Sequence, residues 1–232
     1  MRNRLVLSLA VGATAALFGN APAGAATAPK GLQRLAAEQT QLWENGIAAQ
    51  TPLSPTTCTR GSAHDDDVVF LPVLTQFGVA NNALTVSCTV RRDSDLVLDV
   101  GGAILTEDAN VCTADPATDP CYKVNGVDTP FRPATLPAIG AQILTDFAPF
   151  ATATLDGKAL PAQRILTSVF PLCIPADAFQ YQDSMNLGHP GVLAAAYAGD
   201  KVVIDHLRKG RHTIVVTNSA FGSSITYHLT VR

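Results

Sequence analysis

Apolar and polar positions change period along this chain. Arg2 and Arg4 precede a charge-free, largely apolar run from Leu5 to Phe18, and small residues then lead to Ala23-Gly24-Ala25. A positive start, an apolar centre and an A-x-A site predict a secretory signal peptide over residues 1–25. The run is shorter than the roughly 20 apolar residues that span a bilayer, so no membrane insertion is expected after its removal. Next, Leu32, Leu35, Ala36, Leu42 and Trp43 keep helical spacing, with Gln, Arg and Glu between them and Gly46 as a stop. This predicts an amphipathic helix whose apolar stripe covers another element, with Trp43 as its main anchor. Pro52 and Pro55 exclude a helix from Thr51 to Thr57, so residues 26–57 read as a helix and an extended strap.

From Cys58 onward the period becomes two. Val68 to Val73 is a short apolar run, and Leu84, Val86, Cys88 and Val90 alternate with Thr85, Ser87 and Thr89. Leu96 to Val100 continues the pattern, Gly101-Gly102 reads as a bend, Ala103 to Leu105 as a brief strand, and Thr106 to Val127 as an irregular loop. Ile139, Ile143, Leu144 and Phe147 predict one short internal helix between Pro133 and Phe147, with Pro137 limiting its start and Gly140 weakening it. Asp156-Gly157 between Ala151–Leu155 and Lys158–Leu160 is a strong hairpin signal. Further strands are expected over Arg164–Phe170, Lys201–Leu207, Arg211–Thr217 and Ser224–Val231, with a loop from Ala176 to Gly199. With the last turn centred between Ala220 and Phe221, His212, Ile214 and Val216 share a face with Ile225, Tyr227 and Leu229, and the opposite face is mostly threonine. A slip of one residue would destroy that sorting. About nine short strands with frequent turns predict an all-β domain over 58–232, a β-sandwich of jelly-roll or immunoglobulin-like type.

Composition adds the compartment. All five cysteines follow the signal peptide, where disulfides persist. The double turn from Thr113 to Pro120 favours a Cys112–Cys121 bridge, and Cys58–Cys88 is the second expected pair. Cys173 is left over, as a buried thiol or an intermolecular bridge, and its place between Leu172 and Ile174 reads as a buried small hydrophobe. Loss of Arg2 and Arg4 takes the formal charge from −3 to −5. A mildly acidic chain argues against a nucleic-acid partner, which would want a basic stripe.

The pieces Cys58, Val68-Val69-Phe70-Leu71, Ser87-Cys88-Thr89-Val90, Ala153-Thr154-Leu155-Asp156-Gly157-Lys158, Pro175-Ala176-Asp177, Gly210-Arg211-His212-Thr213-Ile214 and Tyr227-His228-Leu229-Thr230-Val231 follow one another in an order that resembles a group of secreted bacterial β-rich proteins of unknown function. The resemblance implies export and a β-rich fold and implies no activity. His64-Asp65-Asp66-Asp67 and Arg91-Arg92-Asp93 depart from that group's pattern.

Candidate chemistry is sparse. Asp65, Asp66 and Asp67 read either as part of a calcium loop, helped by Asp93 and Asp95, or as a solvated, edge-protecting charge run. No G-x-S-x-G or S-x-x-K motif marks a nucleophile. His212 and His228 fall on opposite faces of one hairpin, and only His189, in a loop, is placed as a catalytic histidine would be. Phe179, Tyr181 and Tyr197 read either as anchors for sugar rings or as core beneath their loop. The reading that follows is an exported, non-catalytic binding protein of the cell envelope or extracellular space, with a polysaccharide or envelope protein as partner. The alternative is a secreted hydrolase with a loop-built site, with calcium as the one cofactor considered.

Overall fold

A computed structural model describes residues 30–48, 58–60, 67–71, 83–107, 122–146, 151–174, 191–205, 207–218 and 223–232. In chain order the elements are helix α1 (Lys30–Ala48), strands β1 (Thr59–Arg60), β2 (Val68–Phe70), β3 (Ala83–Val90), β4 (Asp95–Thr106), β5 (Tyr122–Val124) and β6 (Val127–Thr129), helix α2 (Leu136–Asp146), and strands β7 (Thr152–Leu155), β8 (Lys158–Ala159), β9 (Gln163–Leu166), β10 (Phe170–Ile174), β11 (Gly191–Ile204), β12 (Gly210–Asn218) and β13 (Ser223–Val231). One sheet runs β1-β2-β4-β11-β10, with β9 also on β11, and the other runs β3-β13-β12-β7-β8. The expected all-β sandwich with a short helix is therefore present. The signal peptide and both partners of the expected Cys112–Cys121 bridge lie outside the described residues.

Between the sheets, Val69, Leu96, Leu98, Val100, Val202 and Ile204 of the first meet Val86, Ile214, Val216, Tyr227 and Leu229 of the second. The alternate residues of the first sheet are buried as well. Val68, Phe70 and Val97 pack on Leu35 and Leu42 of α1, while Ile165 and Tyr197 pack on Leu32 and Ala36. The first sheet is thus a middle layer, which explains why β2 is apolar at successive positions instead of alternating.

β4 is one continuous strand, not the bend and brief strand expected. Its pairing with β11 shifts register, Asp200 facing Gly101 and Lys201 facing Asp99, so Val100 is an extra residue. A bulge of this kind reverses which positions face inward. Before it Leu96, Leu98 and Val100 face the second sheet. After it Leu105, with Ala196 and Ala198 of β11, meets Leu136, Ile139, Ile143 and Leu144 of α2. The long strands are therefore covered on one face by the second sheet along one half and by α2 along the other.

The last hairpin has the expected register, Gly210 opposite Val231 and Ile214 opposite Tyr227. The Asp156-Gly157 turn is also in place, with φ of 50° and 78°, which is the left-handed geometry a two-residue hairpin needs. Two expectations are corrected. β5 lies inside the stretch read as irregular and forms a hairpin with β6, which begins at its last residue. The expected loop to Gly199 ends instead at Gly191, where β11 begins. Cys58 and Cys88 are bonded, tying the chain just before β1 to β3 and so stapling the two sheets together. Cys173 is exposed instead of buried. Leu172 and Ile174 take the inward positions of β10, and alternation turns the residue between them to the other face.

Candidate functional site

Two groupings of polar side chains stand out among the described residues. The first lies between α1 and the first sheet. Bulge geometry sets Lys201 opposite Asp99, and Lys201 Nζ donates to Asp99 Oδ2 at 2.8 Å and to Gln39 Oε1 of α1 at 2.7 Å. The ring of Tyr197, four residues earlier on the same face, lies 4.1 Å from Nζ. The Tyr197 hydroxyl donates to Asp99 Oδ1 at 3.0 Å. The ring reaches so far because position 199 is glycine. A Cβ there would come within 2.6 Å of the Gly101 carbonyl and would press on the Tyr197 ring.

Lys201 is fully enclosed, and its ammonium has a carboxylate, an amide oxygen and an aromatic face for its three donors. Burial lowers the Lys201 pKa, with Asp99 pulling the other way. Burial also raises the Tyr197 pKa well above its usual value, and the Asp99 charge adds to this. Gln39 Nε2 further donates to the Leu71 carbonyl at 3.3 Å. No substrate can reach Lys201 Nζ while α1 is in place, so the chemistry this cluster performs is the anchoring of α1. On the inner face, Arg164 Nε meets Asp200 Oδ1 at 3.3 Å and its Nη1 donates to the Leu144 carbonyl at 3.0 Å, satisfying a free carbonyl in the last turn of α2.

The second grouping is at one end of the sandwich. There the parallel strands β3 and β13 finish side by side, Arg92 N donating to the Arg232 carbonyl at 3.0 Å. Residues 207–209, in the connection to β12, enter the same end, because Gly210 pairs with Val231. Arg92, Asp93, Leu207 and Arg208 line an open recess of about 540 Å³. Arg91 is neutralised by Asp67 and by Asp93 at 3.2 Å. Neither Arg92 nor Arg208 has an ion pair among the described residues. His212 holds the connection in place: Nε2 sits 2.8 Å from the Arg208 carbonyl and Nδ1 2.8 Å from Asp156 Oδ2. Both neighbours accept hydrogen bonds, so the two contacts are fully made only by the doubly protonated ring.

The hydrogen bond to Asp156 raises the His212 pKa. The bond from the Thr213 amide, then that from His212, lowers the Asp156 pKa. The raised His212 value means stabilisation that is complete below its ordinary pKa near 6.5 and lost as pH rises through the raised value. The lowered Asp156 value means stabilisation present above 3.8 and lost as pH falls through the depressed value. His212→Asn is therefore expected to lower Tm most in the mildly acidic window between these limits and least once pH has risen past the raised His212 value. The pair is partly exposed, which holds the effect to about 1 kcal/mol or less. Melting curves of both proteins across pH test this, and an equal difference at all pH values would contradict it.

The expected site residues are scattered. Tyr197 is buried in β11 and is no sugar-stacking surface, while Phe179, Tyr181 and His189 lie outside the described residues. Asp67 is exposed but engaged by Arg91, and Asp65 and Asp66 lie outside the described residues. Among the described residues no group of three or more His, Cys, Asp or Glu side chains converges as metal ligands would. Sequence reading missed Asp99, Lys201 and Gln39. The available signal was a Lys and an Asp inside otherwise apolar strand runs. No family model matches the chain, and no curated protein or solved structure does so either.

Proposed function

We propose that this chain is an exported, non-catalytic binding protein of the cell envelope or extracellular space. The observation that carries the reading is the division of labour between the two polar groupings. The enclosed cluster of Asp99, Tyr197, Lys201 and Gln39 spends its donors on anchoring α1. The accessible polar groups instead surround an open recess on strand connections, where rigid strands present loops to a partner. Export is supported by the signal-like pattern over residues 1–25 and by the Cys58–Cys88 bridge, which suits an oxidising compartment. Among the described residues no helix is long and apolar enough to cross a membrane.

The test is retention of the exported protein on host envelope and on insoluble polysaccharides, run beside ester, glycoside and phosphate substrates. Retention without turnover is the expected result. Turnover of any of these substrates, with no retention, would overturn the reading in favour of a hydrolase.

A further inference from the structure

We infer that the recess between Arg92 and Arg208 is an anion site that grips an acidic envelope polymer through its oxyanion groups. This rests on the binding reading above and names the chemistry of the partner. A guanidinium offers a planar fork of donors that fits a phosphate or carboxylate, and here two of them flank one opening. Asp93 also lines it and shares Arg91 with Asp67, Arg91 Nε lying 3.2 Å from it, so these three leave one negative charge against the two arginines of the recess. Beyond the recess the cations continue. Arg232 is beside Arg92 through their backbone bond, Lys209 follows Arg208, and Arg211 is cross-strand from Thr230, next to Arg232.

Adjacent strands are about 4.8 Å apart, so these groups, at the ends of β3, β13 and β12, span two strand spacings, about 10 Å, a row that suits a repeating anion. The chain as a whole is acidic, with a formal charge of −3. Attraction for a polyanion must therefore come from this local arrangement and not from net charge. Arg92 sits in the turn at residues 91–94 and Arg208 in the His212-held connection, each within two residues of a strand end, which limits the entropy lost on binding.

The test is a titration of the full exported chain with polyphosphate and with a polyuronate, at low and at physiological salt. Either polymer should bind in a salt-sensitive manner, and which binds more tightly separates a phosphate-bearing from a carboxylate-bearing source. Arg92→Gln/Arg208→Gln should weaken that binding by about tenfold or more at low salt and reduce its salt dependence. Lys123→Gln/Arg132→Gln removes the same charge elsewhere and should leave binding unchanged. Melting curves of both double variants verify that they are folded. Equal weakening by the two variants would overturn the site, as would binding of neither polymer. Tighter binding to single-stranded DNA of matched charge would overturn the assignment to an envelope polymer. Should the protein stay on envelope material while ignoring both polymers, the inference falls and the binding reading stands. Loss of envelope retention in the Arg92/Arg208 variant alone supports both.

Discussion

Replacing Lys201 with methionine is expected to destabilise the protein by about 3–5 kcal/mol, because it strands the Asp99 carboxylate beneath α1. Lys201 is fully buried, and the Asp99 side chain is 11% exposed and loses its one cationic partner among the described residues. The Tyr197 hydroxyl would still donate to the carboxylate, at 3.0 Å, but it brings no positive charge. Gln39 would lose its bond to Lys201, leaving α1 with one fewer tether to the sheet. Urea unfolding should show a lower midpoint, and limited proteolysis should cut first within residues 30–48. Pairing the change with Asp99→Leu removes the stranded charge and should recover much of the loss. A single variant as stable as the parent would show that the pair does not hold the helix.

Loss of the Cys58–Cys88 bridge is expected to cost about 3–4 kcal/mol, the loop-closure entropy of a ring that spans 30 residues. The bridge joins the edge of one sheet to the edge of the other, and both sulfurs pack against the shared core. Cys58→Ser/Cys88→Ser should therefore lower the unfolding midpoint markedly. Cys173→Ser should not, since that residue is exposed. Denaturant curves of the two variants separate these cases. A double variant that unfolds with the parent would remove the staple from the account.

The parts of the fold legible in the sequence were those where one face is core and the other is solvent. Ile225, Tyr227 and Leu229 could face Ile214 and Val216 in one register only, and that register is present. The Asp156-Gly157 hairpin was legible from its turn chemistry. The middle layer was harder to read. β11 passes through Ala194-Ala195-Ala196 and then Asp200-Lys201, a small-residue run followed by charges, which reads as a boundary although it is buried on both faces. Gly101-Gly102 read as a bend because a bulge and a turn use the same residues. Asn125-Gly126 is a strong hairpin signal, but strands of three residues on either side gave it no alternation to stand on.

The candidate sites were less legible for a different reason. Charges are expected on the surface, so Asp99 and Lys201 gave no sign of being paired inside. The recess depends on Arg92 and Arg208, which are far apart in the chain and come to one end because β13 pairs with β3 in parallel and with β12 antiparallel. Three short basic groups that are far apart in sequence, Arg91-Arg92, Arg208-Lys209-Gly210-Arg211 and Arg232, therefore come together at one end of the sandwich.

The proposed binding at this end of the sandwich can be read from backbone amide shifts on addition of soluble envelope polymer fragments. Shifts concentrated at Arg92, Asp93, Leu207 and Arg208 are expected, with α1 and β10 unmoved. Shifts confined to α1 or β10, with the recess silent, would contradict it.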